Sequence, residues 1–507
     1  MMRWTGAALL ATALTLFGQW RMLPTADVSW LLYAAGRVLD GARIGRDVID
    51  VNFPLVILEK LPAVVVARTL SADPWHVLLV WLVLLLLVAL LLAARVPGSW
   101  FAEPSHACLA ALVLMAAPRG DFAQREHVAV LAALPYVVLA GARLERQAVR
   151  GRLALAAGAL ATLGLALKPF FVLVPLALLL LQWRRGWRPA ALAVLPEHGA
   201  LFVGIALLWV AQFVAAPAWL DAVRWYWPLY SRYGGGLAVQ VGVLLGGMAA
   251  LAIAGWLAWR WRSRGHLDAE GEALVVAALG FFLCIVVQAR SLSYHFVPVV
   301  TLVALVALRW LTQRHTRAIV PVALAVALVA AIALRAPWDG VRLLAGLPVQ
   351  RSQEDPYLPG LQRALGPGPV GRRVAVLSTN PASVFPMLPS VRAETPFRQL
   401  SLWPLIGLYA PVVYGDTVVT CAEPAAWGAL ERHWRDEVAE DLQQHEPDAL
   451  VVLEPDLATR GWGDARRIDY LACLRRDARV RSVLDAFTES VRVGPYRVVR
   501  RPLGGPG

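Results

Sequence analysis

The chain contains an uninterrupted apolar stretch, VLLVWLVLLLLVALLLAA, at residues 77–94. A helix of about 18 apolar residues is nearly long enough to cross the hydrocarbon core of a bilayer. Similar stretches recur up to residue 336 and none follows it, and 58% of the 507 residues are hydrophobic. The sequence therefore predicts a polytopic α-helical membrane domain over residues 1–336 and a polar domain over residues 337–507.

The arginines of the chain predict how this domain is oriented. With the N-terminus in the cytoplasm, arginine-rich loops such as 143–152, 184–188 and 309–317 fall on the inner side, which is the positive-inside pattern. These loops account for the net charge of +13, so no nucleic-acid partner is expected. Spanning helices are predicted at eleven positions: 4–20, 75–94, 105–118, 127–143, 152–167, 170–183, 199–217, 237–259, 272–289, 294–310 and 318–335. This odd number places the polar domain in the periplasm of a bacterial inner membrane.

One apolar stretch does not fit a simple count of crossings. FPLVILEKLPAVVVARTL, at residues 53–70, contains Glu59, Lys60 and two prolines. If it crossed the membrane, every later arginine-rich loop would fall on the outer side. We therefore predict that it re-enters the membrane or lies on its surface. Residues 21–74 then form one outer loop with juxtamembrane helices.

This outer loop begins with an acidic, amphipathic stretch, TADVSWLLYAAGRVLDGARIGRDVIDVNFP at residues 25–54, here called the acid segment. Ionisable groups at a membrane are costly and are commonly functional. Helical spacing of apolar residues over 28–40 places Asp27 at the predicted N-cap. We interpret Asp40 as a turn residue and Asp47 as a solvated loop residue. The four carboxylates of the segment are Asp27, Asp40, Asp47 and Asp50.

Three further connections are predicted at the same outer face. They are PRGDFAQREH at 118–127, the helix end at Lys168, and ARSLSYHF at 289–296. Acids and bases gathered at one membrane face suit a reaction on a charged, lipid-attached substrate. Their candidate functional residues are Asp121, Arg125, Glu126, His127, Lys168, Arg290, Tyr294 and His295.

Asp27 and several of these candidates have a structural alternative. Asp27 could be a helix cap alone, and Arg125 could pair with Glu126 at the start of a helix. His127 could be a hydrogen-bonded structural residue. Lys168 could extend its ammonium group to the membrane interface.

The polar domain is predicted to be a soluble α/β domain. RRVAVLST at 372–379 and DALVVLE at 448–454 indicate buried strands, and 492–501 indicates a closing edge strand. An amphipathic helix is predicted at 425–445. No glycine-rich loop follows either buried strand, so nucleotide binding is not expected there. The domain also holds two cysteines that could pair in an oxidising compartment, although spacing alone does not determine their distance: Cys421 and Cys473.

Together these features resemble the GT-C superfamily of polyprenyl-phosphate-dependent glycosyltransferases. The resemblance is carried by the early Asp27 in the first outer loop, the D-x-N-x-P element at 50–54, and a second acid after the third helix. The stretches QREHVAVLAALPYVVL and LALKPFFVLVPL also resemble bacterial members. The most similar branch includes protein O-mannosyltransferases and the aminoarabinose transferase for lipid A. In the protein mannosyltransferases Glu follows the first acid, whereas Val28 follows Asp27 here.

The resemblance implies an inverting glycosyltransferase that moves a sugar from a polyprenyl-phosphate donor to a periplasmic lipid, glycan or protein acceptor. Asp27 corresponds to the catalytic carboxylate, and Asp121, or else Glu126, to the second acid. A divalent cation is left open, since relatives differ in metal use. The cations assigned to the donor phosphate are Lys168, Arg125, Arg290 and His295. The residues assigned to the acceptor or to auxiliary roles are Asp50, Asn52, His127 and Tyr294.

Two other functions stay open for such a sequence. One is a lipid-linked glycan polymerase or ligase, although those usually carry their main catalytic loop later in the chain. The other is a transporter or flippase of lipid-linked sugar. Transporters often show internal repeats with interrupted helices in matched positions, and the two halves of this chain show no repeat.

Overall fold

A computed structural model describes residues 2–232, 267–289, 292–313, 319–347, 356–366, 371–413, 417–456 and 467–501, together with residue 349 and short pieces of 241–263. By packing, the chain divides into two compact units. The helical unit consists of 1–23, 58–212 and 238–349, and the sheet unit consists of 24–57, 213–237 and 350–507. Neither unit is continuous in sequence.

The helical unit is built from apolar helices. Five helices in the described residues are long and apolar enough to cross a membrane: Pro74–Ala94, Arg125–Leu144, Pro196–Ala215, Ala269–Gln288 and Ser293–Thr312. The last of these includes the 3₁₀ turn Ser293–Phe296 and the α-helix Val297–Thr312. The remaining helices of this unit are Met2–Arg21, Leu61–Thr69, Pro104–Ala116, Gly151–Leu165, Leu173–Arg184, Pro189–Ala193 and Ile319–Leu344, with 3₁₀ turns at Trp100–Ala102, Arg119–Asp121 and Pro169–Val172.

Ten of the eleven predicted helices coincide with helices of the structure. Nine of them agree within about three residues at each end, whereas the helix predicted at 318–335 continues to Leu344. The predicted helix 237–259 falls largely outside the described residues. The number of crossings therefore stays a prediction. The predicted domain boundary after residue 336 lies inside the helix Ile319–Leu344, and the helical unit continues to residue 349.

The helix Arg125–Leu144 is the centre of the helical unit. Nearly all of its side chains are buried, and it packs on Gly151–Leu165, Pro74–Ala94 and Ala269–Gln288. A helix that is apolar on all sides needs such a position, because every face must be covered. At Gly164 the neighbouring helix comes so close that a Cβ would lie 2.7 Å from the Cα of Ala129.

The stretch 53–70 forms two short helices, Leu55–Leu58 and Leu61–Thr69. Nine helical residues extend only about 14 Å, which is about half the thickness of the hydrocarbon core. Lys60 is fully buried, and its Nζ lies 2.8 Å from Oε2 of Glu59. This geometry fits the predicted non-crossing segment.

The sheet unit contains a five-stranded sheet. In chain order the strands are β1 Arg372–Leu377, β2 Ala393–Glu394, β3 Ala449–Leu453, β4 Glu489–Val493 and β5 Tyr496–Arg500. Their order in the sheet is β2-β1-β3-β5-β4, with β1 parallel to β2 and β3, and β5 antiparallel to β3 and β4. The α/β prediction is confirmed. The predicted edge strand at 492–501 is wrong in one respect: β5 is internal, and β4 forms the edge.

Helices cover this sheet and extend the unit. They are Ala26–Leu39, Trp219–Arg232, Leu358–Leu365, Met387–Ser390, Pro404–Leu408, Ala410–Val413, Ala429–Gln444, Tyr470–Leu474 and Ala478–Leu484, with 3₁₀ turns at Pro381–Ser383 and Pro424–Ala426. The helix predicted at 425–445 is confirmed as Ala429–Gln444. A disulfide joins Cys421 and Cys473, which resolves the pairing that the spacing left open.

Candidate functional site

Three helical segments of the helical unit place their N-terminal ends in one neighbourhood. The helix Arg125–Leu144 begins at Arg125, a 3₁₀ turn begins after Lys168, and another begins at Ser293. The first helical N–H groups have no partner within the helix and carry partial positive charge. Five side chains meet here, and we call them the cation cluster: Arg125, Glu126, Lys168, Tyr294 and His295.

Glu126 and Lys168 form the core of the cation cluster. Lys168 Nζ donates to Glu126 Oε1 at 2.5 Å, and the two side chains are 8% and 2% exposed. His295 Nε2 lies 3.8 Å from the same carboxylate oxygen. The interfacial alternative for Lys168 is therefore wrong, because its ammonium group is buried against a carboxylate. The charge of Arg125 also acts on Glu126, so the predicted pair at the helix start is present, but it is buried and Glu126 is shared with Lys168.

Tyr294 lies beneath two of the cations. Lys168 Nζ is 5.4 Å and Arg125 Cζ is 5.7 Å from the centroid of the Tyr294 ring. Cations at this distance are attracted by the electron-rich ring face. With Glu126 ionised and both Arg125 and Lys168 charged, the cluster has a net charge of about +1 when His295 is neutral, and about +2 when it is protonated. Arg290 lies outside the described residues.

His127 is accounted for by local hydrogen bonds. The backbone N–H of Ala123 donates to Nδ1, and Nε2 lies 3.1 Å from the carbonyl oxygen of Leu114. The side chain is fully buried. Both ring nitrogens are thus engaged with the backbone, as the structural alternative expects. The auxiliary role of His127 stays a prediction that this geometry does not favour.

Asp121 ends the 3₁₀ turn Arg119–Asp121, four residues before Arg125. Its side chain is buried, and its charge interacts with that of Arg119. Across the part of the chain that the structure describes, no three or more His, Cys, Asp or Glu side chains are grouped to hold a metal.

The acid segment belongs to the sheet unit. Its helix is Ala26–Leu39, and the N-cap is Thr25, whose hydroxyl accepts from the N–H of Val28. The predicted N-cap at Asp27 is therefore wrong: the N-cap lies two residues earlier, and Asp27 stands in the first turn of the helix. The cap-only alternative for Asp27 loses its basis, because another residue does the capping.

Asp50 is surrounded by hydrogen-bond donors. Its Oδ2 accepts from the indole N–H of Trp30 at 2.9 Å, and its Oδ1 accepts from both the backbone and the side chain of Asn52. The indole of Trp219 donates to its backbone carbonyl. Asp50 and Asn52 are thus brought together as the D-x-N-x-P spacing suggests, and both oxygens of the carboxylate are occupied.

The two remaining acids of the segment have local roles. Asp40 is the C-cap of the helix Ala26–Leu39 and precedes Gly41, which has a φ of +95°. The turn interpretation is confirmed. Asp47 is partly exposed and accepts from the backbone and side chain of Arg43, as a solvated loop residue would.

A second layer of charges lies at the other end of the helical unit. Glu126 and Arg143 stand on one helix about 26 Å apart at 1.5 Å per residue. Arg143 donates two hydrogen bonds to Glu197, and Arg309 pairs with Asp268 and Glu270. Sequence reasoning placed these arginines in loops and missed their acidic partners. One feature of the sequence could have indicated such partners: two acids, Glu270 and Glu272, stand at the start of an apolar stretch.

Sequence reasoning also missed Trp30 as a donor to Asp50. The sequence shows that Trp30 lies three residues after Asp27 on a predicted helix. Nothing in the sequence, however, indicates that either residue lies close to Asp50.

No family model matches the chain, and no curated protein does. Among solved structures, the chain is similar to the arabinofuranosyltransferase AftD from mycobacteria, determined by single-particle cryo-EM, with 15% identity and a TM-score of 0.39. The match covers 99% of this chain and 40% of AftD, so the chain spans less than half the length of that protein. Likeness at this TM-score does not establish a shared fold.

Proposed function

We propose that this protein is an inverting glycosyltransferase of the GT-C type that uses a polyprenyl-phosphate-linked sugar. The cation cluster carries this proposal. An arginine, a lysine and a histidine, gathered at the start of one α-helix and of two 3₁₀ turns, favour an anion. In a unit made of apolar helices, a phosphate attached to a lipid is an anion that can reach such a position.

The proposed acceptor is a periplasmic lipid, glycan or protein hydroxyl, and the proposed location is a bacterial inner membrane. The disulfide between Cys421 and Cys473 supports an outer position for the sheet unit, because disulfides persist in oxidising compartments. Val28 after Asp27 speaks against the protein-mannosylating subtype.

The reaction is a single displacement. The acceptor oxygen attacks the anomeric carbon, the bond from that carbon to the phosphate oxygen breaks, and the lipid phosphate leaves with the electron pair. The acceptor proton passes to a carboxylate. The phosphate changes from a monoanionic diester to a monoester that carries a second negative charge. Protonated His295 would raise the positive charge of the cluster as that second charge develops.

Asp27 is the proposed base. It stands in the first turn of a helix that Thr25 caps, so its carboxylate is not required for capping. Asp50 suits an auxiliary role better, because donors already occupy both of its oxygens. Asp121 is the proposed second acid and orients the acceptor. Glu126 serves chiefly to hold Lys168, since the two form a buried pair.

Mass spectrometry of lipid-linked sugars and envelope glycans, in cells with and without the protein, tests this proposal. We expect loss of one sugar from an envelope component and accumulation of its polyprenyl-phosphate donor on the periplasmic side. Accumulation on the cytoplasmic side would indicate a flippase and contradict the proposal. Unchanged lipids and glycans would contradict it as well.

A further inference from the structure

The acid segment packs in the same compact unit as the C-terminal sheet, although more than 300 residues separate them in sequence. Its helix Ala26–Leu39 has only 14 residues. Isolated helices of this length are marginally stable in water. Packing must therefore determine where its carboxylates stand.

The contacts come from the segments that follow two parallel strands. After β1, Phe385 lies against Trp30 and Tyr33, with ring centroids 5.6 Å and 5.3 Å apart. After β2, the backbone N–H of Thr395 donates to the hydroxyl of Tyr33. The acid segment thus lies at the carboxyl edge of the parallel strands, where α/β sheets commonly place their functional sites.

A second contact holds the other end of the acid segment. The N–H of Ile49 donates to the carbonyl of Arg398 at 2.7 Å, and Ile49 forms an isolated bridge with Gln399. Asp50 is the next residue. Arg398 is itself held by hydrogen bonds to Asp441 and Glu440 of the helix Ala429–Gln444.

Trp30 connects these contacts with the carboxylates of the acid segment. Residues three apart on a helix are neighbours, so Trp30 lies beside both Asp27 and Tyr33. The indole of Trp30 also donates to Asp50. Burial raises the pKa of the Tyr33 phenol, which keeps its hydroxyl neutral as an acceptor for Thr395.

We infer that the C-terminal sheet is the platform that positions the carboxylates of the acid segment, and that Tyr33 is a positioning residue in this arrangement. The inference rests on the proposed function for its catalytic meaning. Tyr33 acts through the helix Ala26–Leu39 and takes no part in bond making. The C-terminal sheet is then necessary for sugar transfer even if no acceptor binds to its strands.

The test compares Tyr33→Phe with Tyr409→Phe in the full chain. Tyr409 is a matched control, because its hydroxyl also joins a backbone N–H, that of Ala422, and a side chain, Glu431, within the same unit. We expect Tyr33→Phe to lower kcat about tenfold with the donor KM within about twofold, since the hydroxyl that accepts from the N–H of Thr395 and from the side chain of Arg37 is lost. Tyr409→Phe should keep kcat.

Hydrogen exchange over residues 26–39 supplies a readout that does not depend on activity. We expect faster exchange there in Tyr33→Phe than in Tyr409→Phe. Equal exchange, or an equal loss of kcat in the two variants, overturns the inference. If the wild-type protein transfers no sugar, the proposed function fails, while exchange still decides whether the sheet holds the helix. If Tyr33→Phe does not accumulate, Phe385→Leu makes the same comparison from the sheet side.

Discussion

The cation cluster and the acid segment are assembled in opposite ways. The cluster draws its side chains from three places in the chain, around residues 125, 168 and 295, and all of them except the half-buried Tyr294 are buried in the helical unit. The acid segment keeps its carboxylates within one short stretch of the sheet unit. Charges drawn from distant places neutralise one another, as Glu126 and Lys168 do. In the acid segment, Asp50 is held instead by the neutral donors Trp30 and Asn52, and Asp47 pairs with the nearby Arg43.

This difference teaches which residues can be tested singly. In the cluster, removal of one charge leaves its partner buried and unpaired, which destabilises the fold. In the acid segment, Asp27 is not the N-cap and Asp47 is partly exposed, so an amide at either position should cost little stability. Asp50 differs, because N–H groups donate to both of its oxygens. We therefore expect substitutions in the cation cluster to lower stability, and substitutions of Asp27 or Asp47 in the acid segment to leave stability nearly unchanged while activity is measured.

The largest effect is expected for Asp27→Asn. The amide cannot take the acceptor proton, and Thr25 still caps the helix, so transfer should fall about 10²-fold to 10⁴-fold without loss of stability. The measurement is the initial rate of sugar transfer by the purified protein. Asp47→Asn is the matched control, because Asp47 is a partly exposed carboxylate of the same segment that pairs with Arg43. A near wild-type rate for Asp27→Asn would remove the base assignment.

The second effect concerns the cation cluster. Lys168→Met should lower the free energy of unfolding by about 3–5 kcal/mol, since Glu126 is left buried without its partner. The double variant Lys168→Met with Glu126→Gln should recover most of that stability but not the affinity for the donor. Thermal unfolding in detergent and donor binding measure the two quantities. Recovery of donor binding together with stability would show that Lys168 has a structural role alone.

A smaller effect is expected for Trp30→Phe. The ring contact with Phe385 can persist while the N–H donated to Asp50 is lost, so transfer should fall about tenfold. Trp227→Phe, at a side chain that is 49% exposed, serves as control. If the Trp30 variant keeps its donor affinity, the two regions have separate roles, because donor binding is assigned to the cation cluster. Equal rates for the two tryptophan variants would speak against an auxiliary role for Asp50.

The smallest effect is a pH dependence of the sheet unit. Burial, with the charges of Arg373, Arg37 and Arg398, holds the pKa of His445 below its usual value. The unfolded chain therefore binds a proton at this residue more readily, so stability is complete above pH 6.5 and declines as pH falls below it. Hydrogen exchange over 429–444 at pH 7 and pH 5 measures this decline. His445→Gln should reduce it, and an unchanged decline in that variant would assign it elsewhere.

Long apolar stretches were sufficient to predict most of the helices. Ten predicted positions coincide with helices because long uncharged stretches have few alternatives to a helix in a membrane. The strands β1 and β3 were likewise visible as short apolar stretches. The helix start at Thr25 was missed, because Thr and Asp are both good caps and a single sequence does not choose between them.

The partners of the charged residues were beyond the reach of local patterns. Lys168 and Glu126 stand 42 residues apart, and Arg143 and Glu197 stand 54 residues apart. Local spacing specifies which face of a helix a residue occupies, but it does not specify which helix lies opposite. The interfacial interpretation of Lys168 failed for this reason.

The sequence by itself determined that the chain is a helical membrane protein with an α/β tail, because hydrophobic patterning reflects the solvent that each segment requires. It also marked the acid segment, since carboxylates beside apolar helices are costly enough to stand out. Only the tertiary structure decided that this segment packs with the tail, and that Lys168 is buried against Glu126. Both depend on contacts between residues far apart in the chain, and such contacts arise from three-dimensional packing rather than from local spacing.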